Sequence, residues 1–486
     1  MTTSTSRARS LTVATLLLTG CSLTPEYHRP PQPVADAYPK GAAYAQEDPS
    51  SMAAAGDIGW RDFLADPRLQ LLVEVALRNN RDLRMAVLNV ELLRTQFRIQ
   101  SAALAPQIGA FADHERSRTP ADLAPRAGGN ASRLDSYSVG ASVSWEIDLF
   151  GRLRSLKAGA LEQYLASVQG RKATEILLVS QVADQYLAML ANDELLDVTQ
   201  RTLETATVSY DLMKLQFDTG GASELDLRQA ETIVELARAN RAAQLRARAQ
   251  AENGLTVLLG QPQPAVAAPI TRLADQVILA DIPADLPSAL LSRRPDVLQA
   301  EALLRAANAN IGAARAAFFP VLSLTSSGGT ASAGLNDLFA AGSSAWTVQA
   351  SVVETIFDAG IRSSGVQAAR VNRAIGVAQY EKTIQNAFRE VADGLAARGT
   401  FDEQIVSLER FTAAQRRRFE LAQLLYRNGQ ASYLDVLTAQ TALYDAEQVL
   451  VSARLQRLTN LVDLYRALGG GWLEHTGDQP RSGELP

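Results

Sequence analysis

The distribution of proline is the feature that most restricts how this chain can fold. The 486-residue sequence contains 19 prolines, yet none lies between residues 152 and 261 or between 361 and 479. Proline removes a backbone hydrogen bond and breaks helix interiors, so both stretches can be helical throughout. Apolar residues recur there at intervals of three and four, as in an amphipathic helix. The sequence therefore predicts two very long helices, over 153–218 and 362–427.

These helices belong to a tandem repeat. Gly151 and Gly360, which are 209 residues apart, begin a gap-free match between the two halves. The same shift pairs Asp184 with Asp393, Gly220 with Gly429, Ser223 with Ser432, and Asp226 with Asp435. Internal similarity on this scale indicates two copies of one structural unit. We expect repeats over 61–285 and 286–470, each built from a helix, two strands and a long helical hairpin.

The turns of the two hairpins are predicted at 219–223 and 428–432, where glycine can end one helix and serine can cap the next. The other predicted helices are shorter and cover 66–104, 223–260, 296–318 and 432–468. The remaining segments read as coil: an extended N-terminal segment over 21–60, a proline-containing link over 261–290, and a loose tail over 471–486.

The segment "SYSVGASVSWEIDLFGR", residues 136–152, alternates apolar and small or polar residues, which is the pattern of a strand with two different faces. A similar strand is predicted in "SAWTVQASVVETIF", 344–357. Shorter strands are predicted after Pro106 and Pro320, with hairpin loops over 117–135 and 327–343.

Four strands cannot close a membrane barrel, because the smallest such barrels have about eight. An open sheet edge cannot lie in lipid, since its backbone groups would lack partners. Either the strands form a soluble sheet or several chains pool their strands, and the residues alone leave two, three or four chains open. Trp145 and Trp346 suit a membrane-interface belt.

The N-terminus has the features of a targeting segment. Two arginines precede an apolar run of about ten residues, which ends in Leu18-Thr19-Gly20-Cys21. This ending resembles a bacterial lipobox, which predicts a signal peptide over 1–20 and lipid on Cys21. The alternative is an ordinary secretory signal with an incidental cysteine.

The composition argues against several classes of function. The net charge is −5 and no basic patch is present, so we expect no nucleic-acid partner. The three histidines and the single cysteine lack metal-ligand spacing. No nucleophile triad, phosphate loop or metal cluster is recognisable, so we expect neither an enzyme nor a cofactor, apart from covalent lipid.

Four motifs carry a resemblance to a known family: "LTGCSLTPEYHRP", "WEIDLFGR", the paired "GxASxLD" turns and "LYRALGGGW". Together they resemble the outer-membrane factor (TolC-like) family of Gram-negative tripartite exporters, and within it the NodT/OprM-type lipoproteins. The resemblance covers about 60–473. It implies a mainly α protein with a small β part, in which a homotrimer forms a twelve-stranded antiparallel barrel continued by a periplasmic coiled-coil tunnel. It also implies diacylglycerol and an N-acyl chain on Cys21, anchoring in outer-membrane lipid, and two partners, a periplasmic adaptor and an RND-type inner-membrane pump. The implied function is passive efflux, with a lipid-anchored spacer or adhesin as the alternative.

The resemblance also implies a gate at the periplasmic end. TolC-like members carry a tyrosine three residues before the second turn glycine and aspartates six and nine residues after it. These positions hold Tyr426, Asp435 and Thr438, so the second aspartate is replaced. In the first turn the corresponding aspartate is Asp226. The alternatives are that both aspartates only complete capping boxes and that Tyr426 only packs in a core.

The turn residues are the expected adaptor contacts: Gly220, Gly221, Gly429 and Gln430. The alternative for the glycines is a purely conformational role, since glycine readily adopts positive φ.

Overall fold

A computed structural model of the protein describes residues 22–44, 55–120, 132–264, 272–279 and 293–478. The predicted signal peptide and Cys21 lie outside the described residues. The helices are α1 (Trp60–Phe63), α2 (Pro67–Asn79), α3 (Arg81–Ala102), α4 (Arg152–Asp218), α5 (Glu224–Leu259), α6 (Pro295–Ala316), α7 (Ile361–Arg427) and α8 (Tyr433–Ala467). The strands are β1 (Gln107–Thr119), β2 (Ser132–Ile147), β3 (Val321–Ser332) and β4 (Ser344–Val353). The protein is mainly helical with a small antiparallel sheet, as predicted.

The chain divides into two compact units. The first contains the sheet, with residues up to 30, 90–166 and 300–380; the second is helical, with 31–89, 167–299 and 381 onward. Within the described ranges, no helix combines the length and the apolar composition that crossing a membrane requires.

The two long helices, α4 and α7, have 67 residues each, and their observed bounds agree with the predicted ones to within a residue. Both end in the same way. Gly220 has φ 79° and Gly429 has φ 69°, so each leaves the helix in the left-handed region that favours glycine. Gly221 N donates to Gln216 O at 2.7 Å, and the equivalent bond follows Gly429. These bonds satisfy carbonyls that a helix end otherwise leaves free.

The predicted helix over 66–104 is wrong in one respect, because the structure divides it at Asn80 into α2 and α3. Asn80 has ψ 135°, which is not helical. Its side-chain oxygen accepts from Leu83 N at 2.9 Å and so caps α3. Its amide nitrogen donates to Leu258 O at 2.9 Å. These bonds offset the helical bond that is lost.

The sheet has the order β1-β2-β3-β4, with every neighbouring pair antiparallel. The predicted loops over 117–135 and 327–343 were too long, because pairing continues to Thr119 opposite Ser132 and to Thr330 opposite Ser344. These polar residues can continue the strands because the hydrogen bonds between strands join backbone groups and do not depend on apolar side chains. The two longer strands were also predicted to continue too far: β2 ends at Ile147, and β4 ends at Val353.

Directly paired residues share a face of the sheet, and successive residues of a strand alternate between its two faces. The register therefore collects apolar side chains on one face and small or polar side chains on the other. One face, here called the apolar face, carries Ile108, Ala110, Val139, Val143, Trp145, Leu322, Leu324, Trp346 and Val352. The other, the polar face, carries Gln107, Ser142, Ser144, Ser323, Thr325, Thr347, Gln349 and Ser351. The alternation predicted from the sequence is therefore confirmed.

Residues 22–30, here called the N-terminal strap, lie against α6 in the first unit. Arg29 forms an ion pair with Glu301 at 2.6 Å, and the Glu301 side chain is only 3% exposed. Asn308 donates to the carbonyl of Pro25 at 2.8 Å.

The hydrophobic core of the second unit is built from α2, α4, α5 and α8, with Tyr186, Leu187, Leu255 and Tyr465 among its fully buried side chains. Residues 471–478 do not form the predicted loose tail. Trp60 N donates to Leu473 O at 2.9 Å, and Gly59 N donates to the Thr476 hydroxyl at 3.1 Å. Buried backbone groups need such partners, which explains why this segment is ordered.

Candidate functional site at the helix tips

The candidate site comprises the two turns that join α4 to α5 and α7 to α8. In the first turn, Asp226 N donates to the Ser223 hydroxyl at 3.2 Å, and that hydroxyl donates to the Asp226 carboxylate at 2.6 Å. In the second turn, Asp435 N donates to Ser432 at 3.3 Å, and Ser432 N donates to the carboxylate at 3.0 Å. Both turns therefore contain complete capping boxes, as the sequence allowed.

The apexes of the turns are exposed. Gly220, Gly221, Gly429 and Gln430 all lie at the surface. A Cβ added at Gly220 or Gly429 would meet no atom within 4 Å. Positive φ, rather than crowding, therefore explains glycine at these two positions, and the surface around them is open to a partner.

Behind the apexes lies a small apolar core, here called the tip cluster. Its buried members are Met213, Leu227, Ala230, Tyr433, Val436 and Leu437. Tyr426 packs against this cluster, with its ring 5.4 Å from that of Tyr433. The Tyr426 hydroxyl donates to the side-chain oxygen of Gln216 at 3.1 Å. Because Gln216 belongs to α4 and Tyr426 to α7, this bond joins the ends of the two long helices.

The tip cluster affects the ionisation of its tyrosines. Burial raises the pKa of Tyr433 to about 12. Burial also raises the pKa of Tyr426, and the nearby Asp226 carboxylate adds to the effect. Both phenols therefore remain neutral hydrogen-bond donors over the physiological range.

Asp435 has a different environment. Its pKa lies below the usual value of 3.8, chiefly because the Ser432 side chain and backbone donate hydrogen bonds to its carboxylate. Arg418 contributes a weaker electrostatic effect in the same direction. The residue is exposed and remains negatively charged at neutral pH. Asp435 thus caps its helix while presenting a charge to solvent.

Thr438 lies one helical turn beyond Asp435 and is also exposed. Its hydroxyl donates to Leu434 O at 2.8 Å, within the same helix. A threonine used in this way presents no charge. The acidic group at this tip is therefore Asp435.

The structure places Tyr426 near Asp226, which lies just after the first hairpin turn. Asp435 and Thr438 lie near the beginning of α8. Trp145 and Trp346 belong instead to the sheet. The Trp145 indole donates to Leu104 O at 3.0 Å, whereas Trp346 is 77% exposed on the same face. In the described part of the chain, no cluster of His, Cys, Asp or Glu side chains is arranged to hold a metal ion.

Sequence reasoning missed Gln216 and Tyr433. Tyr433 could have been recognised from its spacing to Val436, Leu437 and Gln440, which mark the buried side of α8. Gln216 carries no comparable signal, because its partner lies 210 residues away.

Comparison with known proteins is consistent with this architecture. The chain matches the model of the outer membrane efflux protein family over residues 72–261 and 286–470. It is 47% identical over 481 residues to the toluene efflux pump outer membrane protein TtgC of Pseudomonas putida, which covers 98% of each chain. It is 42% identical over 460 residues to outer membrane protein OprJ of Pseudomonas aeruginosa, covering 94% of this chain and 95% of OprJ.

The open-state crystal structure of the MtrE outer membrane channel of Neisseria gonorrhoeae matches with a TM-score of 0.82 at 37% identity. The match covers 94% of this chain and all of the MtrE chain. With sequence and fold in agreement over nearly the whole length, the chain belongs to the outer membrane efflux protein family, whose members are channels rather than enzymes.

Proposed function

We propose that three copies of this chain pool their sheets into one twelve-stranded barrel, which conducts efflux substrates passively through the outer membrane. The observation that carries the proposal is the four-stranded sheet itself. In the described residues, the outer edges of β1 and β4 pair with no other strand of the chain. Lipid does not tolerate such edges, and three sheets of four strands close them while exposing the apolar face to lipid.

The long helical hairpins are the proposed tunnel through the periplasm. Helices of 67 residues extend about 100 Å at 1.5 Å per residue, which suits a duct more than a compact domain. An RND-type pump in the inner membrane supplies the energy, and a periplasmic adaptor joins pump to duct. The exposed turn apexes at Gly220, Gly221, Gly429 and Gln430 are the proposed adaptor contacts.

The tips are also the proposed gate. Copies of Asp226 and Asp435 from three chains would repel one another around a narrow axis and attract cations. Tyr426 would hold the tip closed through its bond to Gln216, and Thr438 would line the pore without charge. Separation of α7 from α4 at this bond is the proposed opening movement.

Two tryptophans and the N-terminal cysteine are the proposed contacts of the channel with the membrane. Trp145 and Trp346 serve as interface anchors on the apolar face. Lipid on Cys21 anchors the N-terminal strap in the outer membrane, since two or more acyl chains are needed for stable attachment. A Cys21→Ala variant should lack the acyl mass yet still form trimers. Loss of all folded protein would contradict a role limited to anchoring.

Planar-bilayer recording on detergent-purified protein, combined with its native mass, tests the function. We expect trimers with a steady conductance. Well-folded trimers that stay silent in repeated recordings would favour a lipid-anchored spacer or adhesin, and a stable single chain would remove the basis of the barrel.

A further inference from the structure

The outer part of β1 carries its acidic and its basic side chains on opposite faces. After Ala112, β1 continues as Asp113, His114, Glu115, Arg116, Ser117 and Arg118. The acids alternate with the bases, so Asp113 and Glu115 lie on the polar face. The bases lie on the other face, which nearer the helices is apolar. The separation is complete along β1, whereas on β2 Asp135 shares the face of the bases. The alternation along β1 indicates that the two faces meet different surroundings.

The type of side chain on the apolar face changes from row to row towards the hairpin loop. Ala112 pairs with Val139, and the next row pairs His114 with Tyr137. These two rings stack with centroids 4.3 Å apart and planes 10° apart. The face therefore passes from aliphatic to aromatic side chains as it approaches the hairpin loop.

The following rows are charged. Arg116 pairs with Asp135 and forms an ion pair with it, and Arg118 pairs directly with Arg133. Like charges on directly opposed residues destabilise a sheet unless something offsets them. Both arginines are exposed, and neither forms an ion pair with another described residue. We call Arg116, Arg118 and Arg133 the basic rim.

The spacing fits a membrane boundary. Trp145 and Tyr137 lie eight positions apart on one face of β2. At about 3.4 Å per residue and a tilt of about 40°, that separation spans about 20 Å of membrane thickness, close to the apolar band of outer-membrane barrels. The His114–Tyr137 pair then occupies the second interface, and the basic rim lies one and two rows beyond it, at headgroup level.

This inference rests on the proposed function, which directs the hairpin loops away from the periplasm. The outer leaflet of a Gram-negative outer membrane consists of a glycolipid whose sugar headgroup carries phosphate groups. Arginine matches phosphate with a planar fork of donors, and its alkyl stem packs on apolar surface while the charge reaches the headgroup. We infer that the basic rim binds the phosphorylated headgroup of this glycolipid, one site per chain, with Arg118 and Arg133 as the principal ligands.

The second hairpin supports the assignment by contrast. Neither β3 nor β4 contains a charged residue, so the basic rim is confined to β1 and β2. A general requirement of the barrel for arginine at the headgroup level would apply to both hairpins. The bound phosphate also supplies the anion that the Arg118–Arg133 pair does not find among the described residues.

The test uses full-length trimers purified in detergent and stripped of bound lipid, titrated with diphosphorylated lipid A and followed by native mass spectrometry. Parallel titrations use the enzymatically dephosphorylated glycolipid and inorganic phosphate. We expect tight binding only of the phosphorylated glycolipid. The double variant Arg118→Gln/Arg133→Gln should weaken that binding at least about tenfold, whereas Arg118→Lys/Arg133→Lys should retain part of it.

Two control variants distinguish the effect of the two arginines from a general effect of net charge on lipid binding. Arg410→Gln removes an exposed arginine from α7, and Asp113→Asn/Glu115→Gln changes charge beside the basic rim but on the polar face. Both should bind the phosphorylated glycolipid as the wild type does. The double glutamine variant should fold, because it removes a repulsion, and its bilayer conductance should match the wild type.

The outcomes are distinguishable. Equal affinity for the phosphorylated and dephosphorylated glycolipids, full competition by inorganic phosphate, or unchanged binding by the double glutamine variant would overturn this inference. With normal conductance, the proposed function would still stand. Wild-type protein that neither assembles nor conducts would overturn the proposed function as well.

Discussion

The hydroxyl of Tyr426 donates a hydrogen bond to the side-chain oxygen of Gln216 at 3.1 Å, and this bond joins the last turns of the two 67-residue helices. The ring of Tyr426 also packs on the buried Tyr433. One side chain thus packs against the tip cluster and also links the two long helices. Separation of the two helices at this end would break the bond to Gln216.

Replacing Tyr426 by phenylalanine tests this link. The variant keeps the ring but removes the bond to Gln216, so we expect a loss of about 1 kcal/mol in unfolding free energy and a higher leak conductance in planar bilayers. Tyr444→Phe is the matched control, because it removes the buried contact to the Thr199 hydroxyl at 3.1 Å. It should lower stability similarly without raising the leak. Equal leaks in the two variants would argue against a gating role for Tyr426.

Asp435 has a capping role and a proposed pore role, and two substitutions separate them. Asp435→Asn keeps an oxygen acceptor for Ser432 but removes the charge, so cation selectivity should fall while the melting temperature changes little. Ser432→Ala keeps the charge but removes the cap, which costs about 1 kcal/mol, so stability should fall while selectivity is retained. Reversal potentials in a salt gradient provide the measurement. Unchanged selectivity in Asp435→Asn would leave the residue with a capping role alone.

The same carboxylate predicts a pH dependence. Hydrogen bonds from Ser432 hold the Asp435 pKa below 3.8, so the folded group stays ionised to lower pH than the unfolded one. Its contribution to stability is present above the unfolded pKa and is lost as pH falls through the folded pKa. Cation selectivity should accordingly persist from neutral pH to about pH 4 and decline below it. A decline centred near pH 6 would implicate another group.

The bounds of the long helices could be predicted because proline is absent within them and because each is followed by a turn with local signals. In each turn a glycine ends the long helix and a serine caps the next helix. The break at Asn80 could not be predicted, because asparagine is tolerated in helices and the bond to Leu258 that stabilises the break comes from a distant part of the chain. The contact between Tyr426 and Gln216 could not be predicted either, because the two residues lie 210 positions apart in the sequence. Local chemistry determines helix ends, whereas tertiary contacts determine which residues meet.

The predicted repeat shows a further limit of sequence reasoning. The sequence match pairs Asp184 with Asp393, yet Asp184 is largely buried and the Asp393 side chain is 70% exposed. An equivalent sequence position does not imply an equivalent environment, because the neighbouring helices differ.

The N-terminal strap provides a prediction about local stability. Glu301 is buried and accepts hydrogen bonds from Arg29 at 2.6 Å and Arg305 at 2.9 Å. In Arg29→Ala the strap loses its charged contact, so amide hydrogen exchange over 22–30 should accelerate about tenfold. His28→Ala is the control, since the His28 side chain is 78% exposed and its Glu26 neighbour lies 4.0 Å away. Equal exchange in the two variants would show that the ion pair between Arg29 and Glu301 does not hold the strap.

Asp184 in α4 is a carboxylate whose buried Oδ1 atom has no hydrogen-bond partner, charged or neutral, among the described residues. Burial, and to a smaller extent repulsion from Asp463, raise the pKa of this carboxyl to about 7, although Arg466 acts in the opposite direction. The folded pKa thus lies above the unfolded value of about 3.9, and the folded state binds more protons between these two values. Stability must therefore fall as pH rises from about 4 to about 7 and stay lower above that, by at most about 4 kcal/mol from this group.

Asp184→Asn mimics the protonated acid and should cancel this loss. Thermal unfolding at pH 5 and pH 8 gives the measurement: relative to wild type, the variant should gain several degrees at pH 8 and much less at pH 5. Comparing variant with wild type at each pH removes the contributions of all other titrating groups. Asp393→Asn, at the exposed equivalent position, should show no pH-dependent difference. A gain for Asp184→Asn that is the same at both pH values would mean that the substitution improves packing and that Asp184 is ionised in the folded protein throughout this range.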